Sequence, residues 1–340
     1  MKIVYKDLVS LFSDDPPIEE VSEKLFQLGH EHDIVGDYFE LEITPNRGDC
    51  LSLIGLARDL NPFFEMKNLP KIFDDQIDEL NLEFENLSKE DCPRISFLEI
   101  EVSNTKVKYQ PYIENYFKNY GNNSINFFTD ISNYISHECG QPTHCYDKEK
   151  INNQILFENK YTNTHFKTLL GQLLRLEGKN CVFSCGNEVI NLAGVMGGMQ
   201  TACSNKTKKV LVECAYFRPE SIIGKSIKYN LHSDASHKFE RGVDISAQEN
   251  TLRRFIQVVK EHTQIKNVKI KTYDYHLEKN KPLKIDVDCV NKILGTNISE
   301  KEYIAKLRQL NFDISEEIYS PSFRHDIQTQ NDLSEEIARL

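Results

Sequence analysis

The chain has 340 residues, which at roughly 100–200 residues per domain predicts two or three domains. Hydrophobic residues at 39% and aromatics at 10% supply enough apolar surface for cores and exclude wholesale disorder, while 15 Gly and 11 Pro exclude a fibrous chain. Forty-one basic against 52 acidic residues leave a net charge of −11, so a nucleic acid could be met only through a local basic face or a partner.

In chain order, residues 13–29 predict a helix with Asp15 as cap, Pro16 in the first turn, Ile18, Val21, Leu25 and Leu28 on one face, and Gly29 as the stop. Residues 38–43 alternate as a strand. Asp49 is then expected to cap a second helix whose Leu53, Leu56 or Ala57, and Leu60 turn inward. The acidic stretch 71–92 marks a boundary, with weak strand character at 80–85. Strand-like runs follow at 95–102, 181–184, 188–193 and 209–214, with helical periodicity at 110–119 and 246–262. His276–Pro282 is a polar hinge. The last segment opens with a strand at 283–288. A helix over 289–294 stops at Gly295, a second starts at Ser299 with Glu302 completing a capping box, and a strand-like run and another helix from Asp332 follow. The fold class is therefore multidomain α+β: a small N-terminal α/β unit over 1–70, a large α+β domain over 84–278, and a C-terminal domain over 281–340.

No apolar run reaches the ~18 residues of a membrane span. The start, MKIVYKDLVSLFSDD, is broken by charge before a signal peptide could form. A soluble, cytoplasmic protein without membrane contact is expected. The nine cysteines are odd in number and not set at zinc-site spacing, so they read as reduced, mostly buried side chains.

Several groups carry chemistry in prospect. LAGVMGG at 192–198 is a small-residue turn that is either structural or a place for close backbone approach to a ligand. His144 follows Gln141-Pro142. Glu213 closes the apolar run VLVEC, where an ionised carboxylate needs donors. Arg218, Lys225, Lys228, His232, His237, Lys238 and Arg241 gather within an acidic chain, as a solvated face or a phosphate-contacting patch. Asp332, Glu335 and Glu336 share a helix face near Asp326, either as an N-terminal capping box or as oxygen ligands for Mg²⁺.

Five segments together resemble the β subunit of bacterial phenylalanine–tRNA ligase: ELEITPNRGDCLSLIGLARDL (40–60), DISNYISHECGQPTHCYD (130–147), NLAGVMGG (191–198), VLVECAYFRPESIIGKSIKYNLHSDASHKFERGVD (210–244) and SPSFRHDIQTQNDLSEEIARL (320–340). They keep the family's order, and the 210–244 block is the most specific. The resemblance implies an α₂β₂ enzyme that charges tRNA(Phe) with phenylalanine, using ATP at the α-subunit site and Mg²⁺ shared with that subunit. It also implies that the 84–278 region is an editing domain hydrolysing mischarged Tyr-tRNA(Phe). Such editing is needed because an apolar pocket rejects an added hydroxyl only ~10²-fold. By position, Glu213 would accept the phenol, Ala235 would leave room for its ring, and Ala193 and Gly194 would bring backbone to the amino acid. His144 would orient the ester and water, with Ser132, Asn133 and Ser233 lining the same pocket. Asp326, Asp332, Glu335 and Glu336 would hold the metal in a winged-helix-like last domain.

The same resemblance exposes departures. The interval between Gly29 and Glu42 is too short for the family's N-terminal tRNA-binding domain, and the pattern stops at Leu340 inside a helix, as in a truncated chain. Ser132 stands where threonine is usual, Thr143 where methionine is, Cys145-Tyr146 where Ala-Phe is, and Ser233 where threonine is; 170–178 fits poorly. These differences motivate two alternatives: a structural or tRNA-binding subunit with an inactive pocket, and a freestanding hydrolase acting on charged tRNA.

Overall fold

A computed structural model describes residues 1–151, 154–275 and 281–340. The expected hinge falls largely on 276–280, outside the described residues. Contacts divide the chain into two units: 1–70 with Glu138–Gly140 and 281–340, and 71–137 with 141–275.

The N-terminal part of the first unit runs β1 (Lys2–Val4), α1 (Tyr5–Val9), α2 (Ile18–Gln27), β2 (Glu31–Val35), β3 (Tyr38–Glu42) and α3 (Leu53–Leu60). Pro17 is extended at ψ 151° with no side-chain cap, so α2 starts at Ile18 and Asp15 lies outside it. Gly29 ends the turn at φ +84°, a conformation that suits glycine. The sheet order is β1-β3-β2, all antiparallel, and only Gly36-Asp37 separates β2 from β3. α3 is capped by Ser52, whose Oγ accepts from the Gly55 N–H at 3.0 Å. The expected cap, Asp49, belongs instead to the preceding turn, where Arg47 Nε donates to it at 2.9 Å.

The second unit holds β4 (Asp78–Glu79), β5 (Glu83–Asn86), β6 (Arg94–Val102), α4 (Pro111–Tyr120), α5 (Phe127–Cys139), β7 (His144–Asp147), β8 (Gln154–Lys167), β9 (Leu173–Cys185), β10 (Glu188–Leu192), β11 (Met196–Gly197), β12 (Lys209–Tyr216), α6 (Pro219–Ile222), α7 (Lys225–Tyr229), α8 (Asp234–Arg241), α9 (Gln248–His262) and β13 (Ile265–Asp274). Two five-stranded sheets form, β11-β10-β9-β8-β5 and β4-β13-β6-β12-β7. One core cluster draws from both, with Phe97, Tyr146 and Leu211 from one and Phe157, Phe183 and Leu192 from the other. β8 and the first half of β9 escape the sequence pattern because their hairpin is largely exposed; Tyr161 is 83% exposed. Such a ladder is held by backbone pairing more than by an apolar face.

The C-terminal part has β14 (Leu283–Lys284), α10 (Val287–Leu294), α11 (Glu300–Gln309), β15 (Asp313–Ile314), β16 (Glu317–Tyr319) and α12 (Gln330–Ala338). The expected strand at 283–288 is cut short because Asp286 caps α10, accepting from the Cys289 N–H at 2.9 Å. Gly295 ends α10 in the left-handed region, as expected. Ser299 caps α11, accepting from the Glu302 N–H. α12 is capped by a Thr329–Asp332 box rather than by Asp332 with Glu335. All nine cysteines are free thiols. No helix among the described residues is long and apolar enough to cross a membrane.

Candidate functional site

The site is built on the register of β7 against β12. His144 lies directly opposite Glu213, and Tyr146 opposite Leu211. Because strand side chains alternate, His144, Tyr146 and Glu213 share one face of the sheet, the face turned to the common core. Their rings confirm the grouping: His144 and Tyr146 meet edge to face with centroids 4.4 Å apart.

Glu213 is 4% exposed. Its Oε2 accepts from the Tyr146 hydroxyl at 2.6 Å and from Asn191 Nδ2 at 3.2 Å, and Asn191 Nδ2 also donates to the Tyr146 oxygen at 2.9 Å. No cation reaches the carboxylate among the described residues. Burial therefore pushes its pKa up to about 7, against the lowering effect of the two donors. The same surroundings hold the Tyr146 phenol well above its ordinary value, so it remains a donor. His144 is half-buried, and burial pushes its imidazole down to about 4. It is neutral at physiological pH and can accept a proton or orient water.

The turn after β10 closes over this group. Gly197 lies so near His144 that a Cβ would fall 2.2 Å from the imidazole Cε1. Gly194, at φ +69°, fits against Ile222 and Phe217, where a Cβ would lie 3.0 and 3.3 Å away. Ala193 is buried, with its N–H on the Cys181 carbonyl at 3.0 Å. Ser233 caps α8 and donates its hydroxyl to the Val195 carbonyl at 2.9 Å, tying the helix to the turn. Ala235 sits in the first turn of α8, half-buried against the core cluster. Ser132 on α5 bonds the Thr143 carbonyl at 2.8 Å and its hydroxyl at 2.7 Å, fixing the residue before His144. Asn133 is exposed, and no hydrogen bond of its side chain to this group is present among the described residues. A surface groove lined by Phe73, Asp75, Asp78 and Lys260 contains none of these residues.

Three contributors were not assigned to the site from sequence. Tyr146 is two residues from His144 on an alternating strand, which is the signal that places it on the same face. Asn191 is a polar residue in the otherwise apolar VINL of β10, and it is buried. Gly197 is hidden among four small residues, and only the imidazole's position reveals why it must lack a side chain.

The basic residues of 218–241 do not form one free patch. Lys238 is buried, with its ammonium on Ser136 and Asp234. Arg218 Nε donates to the Glu90 carbonyl, Lys225 Nζ to that of Lys179, and Lys228 Nζ to that of Glu177. Arg241 meets His237 at 2.9 Å.

The acidic residues of the last segment likewise have other uses. Arg324 binds Asp326 through Nε at 2.9 Å and through Nη2 at 2.8 Å, and Nη2 reaches Glu336 at 2.7 Å. Arg339 also binds Glu336. Asp332 accepts from the N–H groups of Gln328 and Thr329. Glu335 is exposed. Guanidinium groups hold two of the four carboxylates, a third caps α12 and the fourth is exposed, so the four do not assemble as a ligand set. They do not fit a magnesium site within this chain. The one group of three metal-type ligands among the described residues is His30, Cys50 and Asp59. It too is filled: Asp59 accepts from Arg47, Arg339 and His30, and Arg47 Nη2 lies 2.9 Å from Cys50 Sγ.

The B3/4 domain family matches residues 91–264, and the tRNA synthetase B5 domain matches 283–340. The chain is 32% identical over 317 residues to a phenylalanine–tRNA ligase β subunit of Francisella tularensis, covering 88% of this chain and 40% of that protein. A Burkholderia lata protein of the same name is 30% identical, over 99% of this chain and 42% of its own length. The chain thus spans about two fifths of the curated relatives it matches. An N-terminal fragment of the phenylalanyl-tRNA synthetase β subunit from Pyrococcus horikoshii shares the fold, with TM-score 0.53 at 15% identity, over 100% of this chain and 98% of that fragment.

Proposed function

The chain belongs to the B3/4-domain family and is a homologue of phenylalanine–tRNA ligase β subunits, and from that premise we propose that it works beside an α subunit, in an α₂β₂ enzyme of the cytoplasm, and removes tyrosine from mischarged tRNA(Phe). Charging itself, with ATP and Mg²⁺, belongs to the α subunit.

The observation that carries the reading is Glu213: a buried carboxylate with no cation, on one sheet face with a neutral imidazole and beside a glycine-rich turn. In a core, an oxygen acceptor next to apolar surface favours a phenol over a benzene ring. A site built to bond a hydroxyl rejects the ligand lacking it far more strongly than an apolar site rejects the ligand that has it. Glu213 then reads the tyrosine hydroxyl, and Ala235 keeps space for the ring. Backbone of Ala193 and Gly194 lines the amino-acid end, with Ser132 and Ser233 beside it. His144, held by Gly197 and the Thr143–Ser132 contact, orients the attacking water at the ester carbonyl. Ester hydrolysis consumes that water: its oxygen forms the new bond to the tyrosyl carbon, and the ribose oxygen leaves with a proton.

The full chain, assayed alone and with the α subunit, is expected to deacylate Tyr-tRNA(Phe) faster than Phe-tRNA(Phe). Glu213→Gln is expected to bring the two rates together. Equal rates in the unaltered chain, or an unchanged preference in the variant, would overturn the assignment.

A further inference from the structure

Glu213 is not simply a carboxylate in a core; one of its oxygens is fully committed. Oε2 takes two donors, the phenol of Tyr146 and the amide of Asn191, and the amide binds the phenol as well, closing a three-membered ring of hydrogen bonds. All three side chains are buried, and they come from three strands, β7, β10 and β12. Among the described residues no donor meets Oε1.

We infer that Tyr146 and Asn191 are positioning residues that clamp Oε2 of Glu213, so that Oε1 is presented as the single open acceptor for a hydroxyl-bearing ring; this rests on the editing function proposed above. Two consequences follow from the geometry. The clamp fixes the carboxylate plane, because rotation would break two bonds at once. It also supplies the donors that favour the charged form in a place where burial disfavours it. A charged Glu213 can only accept, and so discriminates between phenol and benzene. A protonated one is a weaker acceptor, and would discriminate less. The titratable groups near the carboxylate are Tyr146 and His144 on β7, Cys145 on the same strand, and Cys92 before β6. Burial raises both thiols and lowers the imidazole, so all stay neutral around pH 7, and Glu213 alone changes charge there.

Tyr146 is thus a specificity-determining residue although its own hydroxyl need not touch substrate. At this position phenylalanine would fill the same space without the donor. Asn191→Leu would likewise keep the volume and remove the amide.

The test uses the full chain with its α subunit and follows the ratio of Tyr-tRNA to Phe-tRNA hydrolysis against pH, which cancels the intrinsic pH dependence of ester hydrolysis. The unaltered chain's preference should weaken as pH falls through about 7, as the charge-assisted part of the bond to the phenol is lost. Tyr146→Phe should move that midpoint upward by about one pH unit and lower the ratio at pH 7 roughly tenfold, as expected for loss of a hydrogen bond to a charged group. Asn191→Leu should act in the same direction with a smaller shift. Thermal unfolding of each variant checks that the domain is intact. An unchanged midpoint and ratio in folded Tyr146→Phe, with selectivity lost in Glu213→Gln, would overturn the clamp and leave the editing assignment standing. An unchanged ratio in Glu213→Gln as well would overturn both.

Discussion

Two buried carboxylate sites, one in each unit, handle charge in opposite ways. In the first, three guanidiniums meet four carboxylates: Arg47, Arg324 and Arg339 with Asp49, Asp59, Asp326 and Glu336. Asp59 alone accepts from two arginines and His30, which holds its carboxyl well below the ordinary range. Arg324 and Arg339 similarly hold Glu336 down. In the second unit, Glu213 has hydrogen-bond donors and no cation, and burial carries it up to about 7. Compensated charge in a core fixes architecture: the arginines leave nothing for a ligand to do. Uncompensated charge in a core costs stability and is retained where it meets a substrate.

The largest effect expected from this contrast is at Asp59. Asp59→Ala leaves the Arg47 and Arg339 guanidiniums without their common partner and should destabilise the first unit by about 3–5 kcal/mol in denaturant unfolding. A loss under about 1 kcal/mol would place this network among ordinary surface ion pairs.

The pH dependence of stability should next separate the units by sign. Asp59 and Glu336 have lowered values in the folded chain, so their contribution is full above the ordinary carboxylate range, near pH 4, and is lost as pH falls through the folded values. Glu213 has a raised value: the folded state holds its proton up to about pH 7 while the unfolded chain releases it near 4.5. Its contribution is therefore fully present below 4.5 and declines by about 3 kcal/mol as pH rises through 7. Glu213→Gln should flatten that decline in calorimetric scans between pH 5 and 8. A decline of the same size in the variant would assign it to another group.

A smaller structural change with a specific catalytic consequence is expected at Gly197. Gly197→Ala places a Cβ against His144 and within 2.9 Å of Leu169 Cδ1, so the imidazole must move. Tyr-tRNA hydrolysis should fall by roughly 10²-fold, the scale of a 1 Å misplacement, with a stability cost of about 1–3 kcal/mol from overpacking. Full activity in the variant would remove His144 from the reaction. The smallest effect is at Ser52, where Ser52→Ala removes the cap of α3 and should cost about 1 kcal/mol.

Much of this was legible in the chain. The apolar run before Glu213 already put a carboxylate on a strand, whereas the strand that carries His144 was not expected from sequence, and the direct opposition of the two residues is what the register adds. The helix at 246–262 appears as α9 with only its first residues displaced. Capping was read less well. Asp15, Asp49 and the Asp332–Glu335 pair were each plausible caps by residue type. Pro17 and Ser52 stand at the first two positions, with Arg47 holding Asp49 in the preceding turn, and Asp332 serves as the third residue of a box capped by Thr329. Spacing cannot show that within the acidic cluster at 326–336 Asp326 and Glu336 are bound by Arg324 while Asp332 caps α12. Tyr146 was visible only as a departure from a family pattern. Its role depends on Asn191, some 45 positions away, and on a hydrogen bond that no local pattern encodes.

The most direct test of the contrast is a titration of the Glu213 carboxyl in the intact chain, followed by carboxyl carbon NMR and assigned with Glu213→Gln. A midpoint near 7 is predicted, with the network acids still ionised well below it. A midpoint at or below the ordinary 4.5 would mean that a cation or water compensates Glu213 after all, and would contradict the account.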